Sequence, residues 1–265
     1  MITRRGFLGL IPGIGLAKGW AGSGSGVPTR NFGRHAEQVS VVGFGGHTLA
    51  LSKDIAEATR IAHEAVDRGV TFFDNAWCYH KGRGEEWMGH ALKGIRDKAF
   101  LMTKCCTHQN PLPEGGKEGA MKFLEDSLRR LQTDHVDLWM LHEMKSAAEV
   151  EKFYGPGGAA EAFDLAKKQG KKGFGGSKRS SEKGLMTADK VMRYALSYPE
   201  VCTHMIGVDQ FPYVEQAVLA SAQTPMTPEE RKTFAAWCDR MGGAEYAMHC
   251  QPGHRDGSCC GGAVA

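Results

Sequence analysis

The chain has 265 residues, with 33 basic and 30 acidic side chains and a formal net charge of +3. That balance excludes the basic surplus of a dedicated nucleic-acid binder, and 42% apolar with 24% charged residues excludes wholesale disorder. The length suits one large domain or two small ones around a sizeable core, and eight cysteines without a CxxC pair are too few for a disulfide scaffold.

The first residues read as an address. Thr3-Arg-Arg-Gly-Phe-Leu8 leads into an apolar stretch from Phe7 to Ala17 and a small-residue end, Trp20-Ala21-Gly22. A charged start, a short apolar middle and small residues are the parts of an export signal, and Arg4-Arg5 points to the twin-arginine machinery. The expected location is exported and periplasmic, with a cytoplasmic protein carrying a basic N-terminus as the alternative. The apolar run is too short for a stable membrane span. Ser23 to Gly26 is a flexible joint. Residues 1–27 are therefore set aside as signal and linker, 28–240 as the folded unit and 241–265 as a Gly/Cys-rich tail.

From residue 39 strands and helices alternate. Val39 to Phe44 predicts a strand ending in the turn Gly43-Phe-Gly-Gly46. Asp54 caps a helix with Ile55, Ala58, Ala62, Ala65 and Val66 on one face, stopping at Gly69. Val70 to Phe73 is a second strand, Gly84 to Leu92 a helix and Ala99 to Thr103 a third strand. Ala120, Phe123, Leu124, Leu128 and Leu131 mark a helical stripe. Val136 to Leu141 is a nearly all-apolar strand, as expected when both faces are covered. A helix over Ala159 to Lys168 precedes the glycine-rich Gly173 to Ser177. Ala188 to Ser197 and Tyr213 to Ala220 are helical around a strand at Val201 to Ile206, and Thr227-Pro228-Glu-Glu230 opens a last helix. Repeated βα units build either an open parallel sheet or a closed barrel, here with at most six strands.

The chemistry-bearing residues lie at strand ends. Asp74 ends the second strand, with Tyr79 five residues on; Lys104 ends the third and His142 the fourth. In a parallel barrel these ends converge on one rim, where active sites are built. Singly, each has a bland reading: a structural Asp–Lys pair, a packing tyrosine, a satisfied core histidine. Four different titratable groups on one rim form a constellation.

In these four positions the sequence resembles the aldo-keto reductases, which carry an Asp and a Tyr after the second strand, a Lys ending the third and a His ending the fourth. The likeness runs over about residues 37–172, and again over about 187–235. It implies an α/β, TIM-barrel-like fold and the NADPH-dependent (or NADH-dependent) reduction of aldehydes or ketones to alcohols, with a small-molecule carbonyl compound as substrate. Asp74, Tyr79, Lys104 and His142 are the implied catalytic set. Tyr79 has an ordinary pKa near ~10; as general acid it would be assisted by the ammonium of Lys104, expected to lower that value. Asp74 would hold Lys104, and His142 would orient the carbonyl oxygen.

The resemblance also marks a shortfall. Family members run to roughly 300 residues, near the upper part of the barrel range, whereas about 240 remain here beyond the leader. Between Gly173-Phe-Gly-Gly-Ser177 and Leu185 the family has further strands and helices that hold the cofactor. The barrel is thus expected to be incomplete, with about six strands instead of eight, because strand number, tilt and shear are linked. The retained cofactor-side positions are Gly45, Gly46, His47, Ser177, Gly207, Glu215 and Gln216. Gly207-Val-Asp-Gln210 lacks the family's basic residue, and Ala217 stands where an Asn is common. Cofactor binding is therefore expected to be weak, and the alternative is an impaired relative acting as a binding or interaction protein. His249, Cys250, His254, Cys259 and Cys260 of the tail lack the repeated CxxC spacing of an iron–sulfur segment, Cys105-Cys106 read as packing residues, and no metal set is assigned.

Overall fold

The structure, a computed structural model, describes residues 26–33, 36–106, 116–142, 147–169, 172–174 and 188–240. The segment expected to be a twin-arginine leader, Ser177 and the cysteine-bearing tail lie outside the described residues.

The fold opens on an antiparallel hairpin of β1 (Thr29–Asn31) and β2 (Gln38–Ser40). There follow β3 (Val42–Gly45), α1 (Gly46–Leu49), α2 (Ile55–Asp67), β4 (Phe72–Asp74), α3 (Arg83–Ala91), β5 (Phe100–Cys106), α4 (Lys117–Leu131) and β6 (Val136–His142). Then come α5 (Ala147–Tyr154), α6 (Ala160–Lys168), β7 (Lys172–Phe174), α7 (Ala188–Leu196), β8 (His204–Ile206), α8 (Pro212–Ser221) and α9 (Pro228–Arg240). Six strands form one parallel sheet in the order β7-β6-β5-β4-β3-β8. Among the described residues β7 and β8 are the outer strands, so this is the expected incomplete α/β barrel. The last strand returns beside the first, as barrel winding requires.

The predicted strand Val39 to Phe44 is in fact two. Ser40 causes the break: its hydroxyl donates to Val42 O at 2.6 Å and accepts from Thr71 N at 2.9 Å and Phe72 N at 3.2 Å. A side chain there replaces ladder bonds, so β2 turns into the hairpin while β3 enters the sheet. Asp54 caps α2 by accepting from Glu57 N at 2.8 Å. The buried face of α2 is Ala58, Ile61, Ala62 and Ala65, while Ile55, expected on it, is exposed. Gly69 ends the turn at φ +94°, which favours glycine. At α9, Thr227 and Glu230 exchange reciprocal capping bonds of 2.8 and 3.2 Å.

Strand alternation sorts the core into two compartments. Leu101 and Cys105 of β5 and Trp139 and Leu141 of β6 pack outward against the helices, with Phe73 and Met88. Phe100, Met102, Leu138 and Met140 face inward with Phe72 and Val39. The hairpin covers the amino-terminal end of this inner layer, with Phe32 5.2 Å from Phe100 and 6.2 Å from Phe72 between ring centres. Arg30 fastens it to the later chain, donating to Leu196 O at 2.7 Å and Val201 O at 2.6 Å. No described helix is long and apolar enough to cross a membrane.

Candidate active site

The inward parity of β4, β5 and β6 decides what lies at the opposite, carboxyl-terminal end. Asp74, Lys104 and Cys106, and His142 occupy the rim positions of the same faces that carry Phe72, Met102 and Met140 below. All three of Asp74, Lys104 and His142 are buried, at 8%, 5% and 8% exposure. The Lys104 ammonium forms an ion pair with the Asp74 carboxylate, donates to Asn75 O at 2.6 Å, and donates to the Tyr79 hydroxyl at 3.2 Å. The Tyr79 ring stands edge-on to the His142 imidazole at 5.6 Å and to the His47 imidazole at 5.3 Å. Asp74, Tyr79, Lys104 and His142 therefore meet at one mouth, with His47 beside them.

The segment after β4 is what brings Tyr79 back to Lys104. It continues to pair with β5, Asn75 N donating to Met102 O at 2.9 Å and Trp77 N to Lys104 O at 3.1 Å. Asn75 then clamps the segment: its amide donates to Gly84 O at 2.9 Å and its side-chain oxygen accepts from Ala76 N at 2.9 Å. A Cβ at Gly46 would collide with this amide, so the approach of α1 requires glycine there. Beyond Tyr79, His80 and Lys81 hold φ of 51° and 59° and Gly82 98°, a left-handed run that reverses the chain into α3. His80 Nε2 lies 2.9 Å from His47 O, tying this reversal to α1. Asn75 was not singled out in the sequence; an Asn beside a strand-ending Asp was the available signal.

The electrostatics follow from enclosure. Burial would strip the proton from Lys104, but the Asp74 carboxylate and the Tyr79 oxygen outweigh it and raise its pKa, so it stays cationic. Burial raises the Tyr79 phenol, and the attraction of Lys104 only partly offsets this. The net shift is upward, opposite to the lowering expected from the ion alone, because enclosure penalises phenolate more than the ammonium stabilises it. Tyr79 consequently holds its proton at neutral pH.

The cofactor-side positions divide. Gly45 sits at the level of Asp74 in the β3–β4 register, and the nearest atoms to a Cβ built on it are 3.7 and 3.8 Å away. These are ordinary contact distances, so a methyl group fits at Gly45 where it would not at Gly46. Thr48 joins this edge to the end of β8, donating to Gly45 O at 3.0 Å and accepting from Val208 N at 3.1 Å. Gly207 packs on Thr48 so closely that a Cβ would lie 2.6 Å from its methyl. Gly45, Gly46, His47 and Gly207 are thus neighbours. Glu215 and Gln216 are exposed on the first turns of α8.

A parallel α/β barrel sheet with a lysine–aspartate pair, a tyrosine and a histidine at its carboxyl-terminal rim carries its ionisable groups where barrels of this class build their active sites. Residues 41–174 match the aldo/keto reductase family, and the chain belongs to that family. It is 30% identical over 146 residues to the uncharacterized oxidoreductase YqkF of Bacillus subtilis, covering 53% of this chain and 45% of that protein. It is 36% identical over 107 residues to the methylglyoxal reductase YeaE of Escherichia coli, covering 39% and 36%. The chain thus spans less than half the length of these relatives. Among solved structures, the holo form of AKR11C1 from Bacillus halodurans superposes with a TM-score of 0.65 at 22% identity, covering 79% of this chain and 96% of that one. An aldo-keto reductase from Klebsiella pneumoniae in complex with NADPH gives 0.62 at 19%, covering 81% and 95%. These structural likenesses establish the fold.

Proposed function

We propose that the chain reduces aldehydes or ketones to alcohols, using Tyr79 as general acid. The observation that carries this is the Lys104 ammonium, ion-paired to Asp74 and donating to the Tyr79 hydroxyl at 3.2 Å, with the His142 ring against the same tyrosine. A reduced nicotinamide, NADPH or NADH, supplies the hydride when bound. Gly45, Gly46, His47 and Gly207 would border its nicotinamide end, Ser177 its carboxamide, and Glu215 and Gln216 its adenosine side.

Each of the chain's own groups then has one task. His142 orients the carbonyl oxygen beside Tyr79 and supports the negative charge developing on it. Tyr79, protonated at neutral pH, gives its proton to that oxygen. Lys104 stabilises the phenolate left behind, and Asp74 keeps Lys104 charged and aimed. Asn75 O fixes the ammonium from a third side. A tetrad assembled in this way favours catalysis over a purely binding role.

The same reading includes weak cofactor binding, because Gly207-Val-Asp-Gln210 lacks the family's basic residue and Ala217 stands where an Asn is common. It also includes export through the twin-arginine machinery, supported by Arg4-Arg5 before Gly6-Phe7-Leu8. Steady-state oxidation of NADPH with a generic aldehyde, compared between the native chain and Tyr79→Phe, tests the reaction; equal rates would end it. Calorimetric titration with NADPH tests the affinity, and a dissociation constant in the low micromolar range or tighter would overturn weak binding.

A further inference from the structure

Beside the phenol of Tyr79 lies a second cluster that carbonyl reduction does not use as a unit. The sulfurs of Cys78 and Cys106 and a ring nitrogen of His142 all lie within 4.8 Å of one another, and all three residues are buried. Cys78 Sγ is 3.3 Å from His142 Nδ1. None of these cysteines is in a disulfide. We propose that Cys78, Cys106 and His142 form a binding site for a divalent metal ion of the zinc class, held by two thiolates and one imidazole.

Three arguments carry it. The first is placement. Cys106 and His142 are the last residues of β5 and β6 and stand opposite each other in the parallel register. The clamped segment after β4 lays Cys78 across them, in a small cluster with Ala76, Trp77 and Tyr79. Three elements with separate supports therefore converge, and the donor positions are fixed from three sides.

The second is distance. Zinc–sulfur bonds of ~2.3 Å and zinc–nitrogen bonds of ~2.0–2.1 Å in a tetrahedron put ligand atoms roughly 3.5–3.8 Å apart. The spacings here, 3.3 Å for one pair and no more than 4.8 Å for the others, bracket that range. Side-chain adjustments of about an ångström close it.

The third is charge and softness. The nearby Lys104 ammonium is already matched by Asp74. A dication binding with loss of one proton from each thiol to water adds no net charge, since two thiolates balance it. Two sulfurs and an imidazole select zinc-like ions over magnesium or calcium. Three protein ligands leave one tetrahedral position open to water or another small ligand.

The test is metal occupancy rather than turnover, so it stands independently of the proposed reaction. The full-length chain, reduced and stripped of metal by chelation, is titrated with cobalt(II) and then zinc(II). One equivalent of cobalt is expected to produce thiolate-to-cobalt charge-transfer absorption with strong tetrahedral visible bands, bleached by zinc. Because the tail also carries cysteines, a Cys250→Ser, Cys259→Ser, Cys260→Ser chain is titrated in parallel and is expected to keep this equivalent. Cys78→Ser and Cys106→Ser are each expected to weaken it by at least about tenfold. Lack of the charge-transfer band in the native chain, or its loss in the tail variant, overturns the site. Those two titrations decide the matter even if a core variant fails to fold.

Discussion

Glu85 on α3, with no exposed surface, accepts a hydrogen bond of 2.6 Å from the hydroxyl of Thr103, the residue directly before Lys104. Its other oxygen lies 3.3 Å from Arg130, which in turn donates to Trp77 O at 3.1 Å and lies 4.9 Å over the Trp77 ring. One enclosed carboxylate thus braces β5 from behind and, through Arg130, the segment that carries Cys78 and Tyr79. Burial raises its pKa, against the opposing pull of Thr103 and Arg130. A carboxyl raised in the folded state contributes stability that is fully present below its unfolded value and lost as pH rises through the folded value. The native chain is therefore expected to lose stability relative to Glu85→Gln as pH rises upward from about 4.5, the ordinary value. Denaturant unfolding of both chains across that interval checks it; a difference that is flat or grows in favour of the native chain contradicts the assignment.

Removing the proposed proton donor should separate chemistry from folding. Tyr79→Phe keeps the ring against His47 and His142 and deletes only the hydroxyl. A loss of about 10²–10⁴ in kcat is expected, the usual worth of a positioned acid, with the melting midpoint nearly unchanged. Parallel kinetics and calorimetry on the two chains measure both.

Lys104 and Asp74 are expected to be strongly coupled. Lys104→Met alone strands a buried carboxylate, and a loss of about 3–5 kcal/mol is expected. Combining it with Asp74→Leu should return much of that stability while activity stays absent. A double-mutant cycle by chemical denaturation gives the coupling directly.

Gly46→Ala drives a methyl group into the Asn75 amide. Overpacking of this kind costs about 1–3 kcal/mol. Because Asn75 O holds the Lys104 ammonium, kcat is expected to fall more than stability alone explains. Gly45→Ala, whose methyl meets only ordinary contacts of 3.7 and 3.8 Å, is the comparison.

If the leader is read by the twin-arginine machinery, replacing Arg4 and Arg5 with lysine should retain the chain in the cytoplasm. Cell fractionation of both forms measures this, and unchanged distribution would dismiss the proposed route.

The rim was legible because it depends on features local to the sequence. Asp74, Lys104 and His142 each close a short apolar run, and alternation along such runs fixes the face on which they emerge. Tyr79 was singled out by the resemblance to the aldo-keto reductases, in which a Tyr follows the strand-ending Asp. What escaped depended on enclosure or on distant partners. Ser40 splits a strand by bonding to residues some thirty positions away. The upward shift of Tyr79 is a property of its surroundings, invisible to a pairwise view of lysine and phenol. Cys105-Cys106 read as packing residues, and Cys105 is one, its thiol pushed up to about 12 by burial. Cys106 packs as well, but on the inner face of β5, against Ala76 and Cys78 and near His142.

The hairpin of β1 and β2 has a corollary for the layer beneath the rim. Phe32 packs on Phe72 and Phe100, and Arg30 clasps the hairpin to Leu196 and Val201. Six residues of strand thus act as a stopper, shielding from water the amino-terminal end of the inner face on which Asp74, Lys104 and His142 stand.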